Sequence, residues 1–133
     1  MKPDHSERYR RGRARLKEIH GERGLKAIDS LMDIAPDLAE MVYEFVYDDV
    51  YGRPGLDIKS RQLATMAALV AMANARPQLK AHIHGALQVG WTRQEIVESI
   101  MQLAVYAGFP AAINALVVAQ EVFQEHEIGR AHV

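Results

Sequence analysis

Two histidines set two positions apart in HIHGALQVGWTRQEI, residues 82–96, stand out among the groups able to move a proton near neutral pH. A helix advances about 100° per residue, so side chains at i and i+2 point to nearly opposite sides, and one pocket receives only one of them. Leu79, Ile83, Ala86 and Leu87 draw an apolar stripe along this segment, and His82 lies inside it. His84 lines up instead with Lys80 and Gln88 on the polar face. His82 is therefore expected to point inward, and His84 outward or toward a partner chain. Two readings of His82 stand: a core imidazole bonded to a backbone carbonyl, or a catalytic acid, base or hydrogen-bond donor. His84 is either a surface residue or a substrate contact. The spacing does not suit a metal, because two ligands on one helix need i, i+4.

A second group of polar residues lies upstream. Leu38, Met41, Val42 and Phe45 read as the buried stripe of a helix, and the next position on that stripe is Asp49, with Glu44 and Asp48 at its edge. A carboxylate facing a core must be paired, hydrogen-bonded or protonated. Asp49 either bonds the backbone of the YGRPGLD turn at 51–57 or takes part in chemistry. Farther on, Glu98, Gln102 and Tyr106 recur every four residues on an otherwise apolar helix, as a solvent face or as a pocket wall. Trp91, beside a helix start, reads as a packing residue.

The elements that must position these groups are helical throughout. Residues 6–20 form a charged helix, broken at Gly21 and followed by a second to about residue 34. Pro36 suits the first turn of a third. Asp57 can cap a fourth, whose stretch 64–75 has no charge and is apolar nearly all round, which predicts a central helix. A fifth runs from about 77 to 89, closed by Gly90. Thr92 followed by Glu95 makes a capping box for a sixth, to about 107. Gly108 and Pro110 separate it from a seventh, 111–124. No alternating strand pattern occurs, and the expected class is all-α.

At 133 residues with 49% hydrophobic and 25% charged composition, one globular domain over 1–126 is expected. The net charge of −1 argues against a general polyanion binder, so no nucleic-acid partner is expected. Nine of the 16 Lys and Arg fall in the first 26 positions, among them Arg8, Arg10, Arg11, Arg13 and Arg15. They form either an anion-binding arm or a solvated helix face. The absence of cysteine excludes disulfides and thiol chemistry. With neither an apolar leader nor an 18-residue apolar run, a cytoplasmic protein with no membrane partner is expected. The last seven residues, EIGRAHV, match one reading frame of a common sequencing adapter, which predicts a non-native tail over 127–133; Arg130 and His132 are set aside on that ground.

EFVYDDVYGRPGLDIKSRQLATMAALVAM and LKAHIHGALQVGWTRQEIVESIMQLAVYAGFPAAINA resemble the carboxymuconolactone decarboxylase family, through RPGLD, H-x-x-GAL-x-x-G-x-T-x-x-EI and VYAG-x-PAA-x-N. The resemblance spans about residues 7–124. It implies an alkylhydroperoxidase-like helical domain of six to seven helices in a homo-oligomer, a trimer or a trimer of dimers. Peroxidase-like members of the superfamily need Cys-x-x-Cys before the histidine. Here Ala75 and Gln78 fall at those positions, which rules out that chemistry. Gln62 departs from the acidic residue those members carry.

The implied reaction is decarboxylation of a lactone, 4-carboxymuconolactone, to 3-oxoadipate enol-lactone in aromatic catabolism. The substrate supplies its own electron sink, so no metal or organic cofactor is expected. Under this resemblance His82 stabilises the developing oxygen or delivers a proton, Asp49 or Glu44 orients His82, and Tyr106 is a second donor. Arg53 holds the acetate arm, and His84 and Asn114 complete the substrate contacts. Alternatives are a related lactone or small-acid enzyme of the same fold, and a non-catalytic helical oligomer.

Overall fold

The computed structural model describes residues 5–131, with side chains to residue 129. Every element among them is helical, and they fall into two compact units that meet in sequence at Ile58 and Lys59.

The first unit pairs a long helix with a broken one. Helix α1 (Glu7–Asp29) starts at Ser6, whose Oγ accepts the Tyr9 amide at 3.0 Å. The expected break at Gly21 is a kink within α1, where φ is +67°. After a 3-10 turn at Ser30–Asp33, α2 (Pro36–Met41) opens with proline in its first turn. It runs on through Val42–Val50 in wider, π-helical turns, where bonds reach five residues back, as from the Tyr51 amide to the Val46 carbonyl at 2.9 Å. Helix α1 packs along this segment. Gly12 sets how closely: a Cβ there would lie 1.7 Å from the Tyr43 carbonyl oxygen.

The buried face of 36–51 is not the expected one. Ala39, Tyr43, Tyr47 and Tyr51 are buried, while Leu38, Met41, Phe45 and Asp49 are exposed and Val42 is half-buried. The physical reason lies in the tyrosines. Three large rings spaced by four pack against one another and against α1, and the Tyr43 and Tyr47 hydroxyls find partners inside the unit. Tyr43 donates to Asp29 Oδ1 at 2.6 Å, and the Tyr47 hydroxyl lies 3.1 Å from His20 Nε2. Burial, more than any other influence, pushes both phenols well above their ordinary range.

The arginine run also finds its place here. Arg8 forks onto Asp49 at 3.1 and 2.6 Å, and Arg11 onto Asp48 at 3.0 and 2.9 Å. Arg15 bridges Asp48 and the Tyr47 carbonyl, and Arg13 pairs with Asp29. These planar, bidentate contacts tie α1 to the π-helical segment, so the basic run serves as a clamp within the unit.

The second unit contains α3 (Ile58–Met72, from its second residue), α4 (Arg76–Gln88), α5 (Arg93–Ala107) and α6 (Phe109–Ala131). Its core is built from Met66, Val70, Leu79, Ile83, Ile96, Ile100, Val118 and Val122, with alanines at 86, 112, 115 and 119 allowing close approach. Helix α3 is not central all round. Gln62, Met66 and Val70 are buried, but Ala64, Ala68, Ala71 and Met72 are exposed, since one stripe suffices for the core and alanine costs little when left in water. Trp91 packs as expected, its indole N–H donating to the Lys59 carbonyl at 2.7 Å. The Thr92–Glu95 capping box is formed in both directions. The segment expected to be a non-native tail continues α6 as far as Ala131, and Arg93 pairs with Glu127 on it; His132 and Val133 lie outside the described residues. No described helix is long and apolar enough to cross a membrane.

Candidate functional site

Helix α4 carries both histidines, each half-buried and each bonded to a different neighbouring helix. Leu79, Ile83 and Ala86 face the core, and His82, three residues past Leu79, lies half-buried beside them. The ring is held by α3. Gln62, with no exposed surface at all, places its amide nitrogen 2.8 Å from His82 Nδ1 and 3.0 Å from the His82 carbonyl oxygen. Asp49 or Glu44 was expected to orient this imidazole. Within the second unit Nδ1 is engaged by Gln62, a residue that the sequence marks only as a departure from relatives. Its spacing with Met66 and Val70, each four residues on, is the signal that could have placed it inside.

His84 departs from a purely outward role. Its side chain keeps 22% exposure, and Nε2 lies 2.9 Å from Glu125 on α6. Lys80, one turn earlier on the same face, reaches the same carboxylate at 2.7 Å. The Lys80 ammonium first, then His84, hold the Glu125 carboxyl below its usual range. His84 thus joins α4 to α6 at the surface of the unit.

The remaining predicted residues are spread over both units. Asp49 is clamped by Arg8, and Glu44 accepts from Ser6 Oγ at 2.5 Å, both within the first unit. Arg53 lies exposed in the loop after the π-helical segment. Tyr106, near the end of α5, is 83% exposed among other exposed apolar side chains, namely Val105, Phe109 and Ile113. Asn114 borders a cavity of about 290 Å³ in the second unit, with Leu69, Ala75, Arg76, Leu79 and Val118. Ala75, one of the two positions where a thiol peroxidase would need cysteine, is therefore an apolar wall. A shallower groove of about 580 Å³ between α5 and α6 holds none of the predicted residues. Among the described residues, no cluster of three or more histidines and carboxylates is arranged to hold a metal ion.

Comparison with known proteins gives these residues a context. The chain is 32% identical over 120 residues to a 4-carboxymuconolactone decarboxylase of Acinetobacter baylyi, an alignment covering 90% of this chain and 89% of the relative. An uncharacterized 15.0 kDa protein of Paracoccus denitrificans is 36% identical over 104 residues, 77% of this chain and 75% of that one. A nitrosuccinic acid decarboxylase of Metarhizium robertsii is 36% identical over 86 residues, 65% of this chain and 59% of its own. The family model described as carboxymuconolactone decarboxylase matches residues 36–121, from the start of α2 into α6. By that match and by its near full-length likeness to a decarboxylase, the chain belongs to the carboxymuconolactone decarboxylase family.

Proposed function

We propose that the protein is a cofactor-free decarboxylase converting 4-carboxymuconolactone to 3-oxoadipate enol-lactone. The observation that carries this reading is the half-buried His82 on α4, held at Nδ1 by the wholly buried Gln62. In the reaction the bond between the ring carbon and its carboxylate breaks and CO2 leaves. The electron pair passes through the ring double bond onto the lactone carbonyl oxygen, and a proton added to a ring carbon completes the enol-lactone. Such a reaction asks the protein for oriented donors at the developing oxygen and for an apolar wall beside the departing carboxylate. In this reading His82 answers the first demand.

The substrates in the names of the two decarboxylase relatives share this logic. In nitrosuccinic acid a carboxylate and a nitro group sit on one carbon, so loss of CO2 also sends a pair of electrons onto oxygen. An intrinsic electron sink and an anionic small acid are common to both. We further propose a homo-oligomer, supported by the exposed Met101, Val105, Phe109, Ile113 and Val117 on α5 and α6.

The test is incubation of the purified protein with 4-carboxymuconolactone and, in parallel, with nitrosuccinic acid. Release of CO2 and loss of the ultraviolet absorbance of the conjugated lactone are expected with the first. Turnover of nitrosuccinic acid alone would replace this reading with a small-acid decarboxylase, and turnover of neither would favour a non-catalytic oligomer.

A further inference from the structure

We propose that Gln62 is a positioning residue that sets His82 as its Nε2-protonated tautomer, so that His82 enters the reaction as a neutral hydrogen-bond donor. The catalytic half of this statement rests on the decarboxylase reading above; the tautomer half does not.

Gln62 is wholly buried, and it shares its stripe with Met66 and Val70. An amide in such a place is costly unless it is hydrogen-bonded. Its bonds are informative because one of them is unambiguous. The His82 carbonyl oxygen only accepts, so the Gln62 atom 3.0 Å from it is the NH2 group and not the amide oxygen. That same NH2 group stands 2.8 Å from Nδ1. Nδ1 must therefore accept, and the proton of the ring resides on Nε2. A backbone carbonyl orients the amide, and the amide orients the imidazole.

The consequence is a division of labour. A neutral imidazole is a poor acid but a good donor, suited to an oxygen that gains charge, and the held ring needs no reorganisation as that charge develops. The proton that reaches the ring carbon then comes from another acid or from water. Glutamate at position 62 would reverse the arrangement, since a carboxylate only accepts and would draw a proton to Nδ1.

The experiment reads the tautomer directly. Nitrogen NMR on protein with 15N-labelled histidine resolves protonated from unprotonated ring nitrogens, and comparison with His82→Gln assigns His82 among the six histidines. Near neutral pH the wild type is expected to show Nδ1 unprotonated and Nε2 protonated. Gln62→Glu is expected to move the proton to Nδ1. Gln62→Met, close to glutamine in length and compatible with a core, is expected to lose the single tautomer while keeping the fold. Both should lower kcat by at least about tenfold while KM changes less than about threefold, since a wrong tautomer damages the chemical step rather than binding. A wild-type His82 protonated at Nδ1 would overturn the proposal, as would variants that leave its spectrum unchanged. Altered tautomers with unaltered kcat would remove the catalytic half. Failure of the wild type to turn over the lactone would instead refute the functional reading and leave the tautomer result standing.

Discussion

The two units solve the burial of polar groups in opposite ways. In the first, polar groups are many and mutually paired, from exposed to buried: Arg8 with Asp49, Arg11 and Arg15 with Asp48, Arg13 and Tyr43 with Asp29. In the second, the core is apolar, mostly aliphatic with Phe123, and the wholly buried Gln62 amide is aimed at His82. The first pattern is what a helix pair needs when α1 approaches its neighbour as closely as Gly12 permits and tyrosines fill the interface. The second places an expensive group where stability alone would have taken leucine or methionine. The ionic network ties two helices together, whereas the buried amide holds the one imidazole on which the proposed chemistry rests.

The contrast can be broken at its strongest point by His82→Gln, which keeps a hydrogen-bonding side chain of similar size. A loss of turnover of about 100-fold or more is expected, the usual scale for an oxyanion or acid–base contribution, with circular dichroism unchanged. His84→Gln, on the same helix but bonded to Glu125, should change turnover by less than about threefold. Steady-state kinetics on the pair decide between them, and the reverse ranking would move the chemistry to the outer face of α4.

Gly12→Ala tests the first unit. The new methyl collides with backbone rather than with a flexible side chain, so α1 must shift and drag its arginines out of register. Destabilisation of about 3 kcal/mol, at the upper end for overpacking, is expected in urea melts. A loss of less than about 1 kcal/mol would show that the helix contact is loose.

A smaller effect is expected from acid. The Arg11 guanidinium, then Arg15, hold the Asp48 carboxyl below its usual range. A carboxyl lowered in the folded state contributes stability that is present above its unfolded value, about 4, and lost as pH falls through the lowered one. Urea midpoints should therefore drop below about pH 4. Asp48→Asn should start lower at pH 7 but lose less on acidification. An equally steep acid loss in that variant would place the pH dependence outside this clamp.

Chain-local chemistry determined much of the helical layout. Pro36 opens α2, the Thr92–Glu95 box opens α5, and Gly21 kinks α1, because each acts on backbone groups within one turn of itself. The register of α4 was legible in part: Leu79, Ile83 and Ala86 face the core as their period predicts, while His84, expected to point outward, is half-buried against Glu125. The same period failed over residues 36–50. Two apolar stripes compete there, one aliphatic and one of tyrosines, and only the approach of α1 with its carboxylate and histidine partners selected the second. Asp49 went outward for that reason, into the grip of an arginine 41 residues away. The orientation of His82 was likewise a tertiary decision. It depends on an amide 20 residues earlier on another helix, and the geometry of two hydrogen bonds between helices is set by packing, not by spacing along the chain.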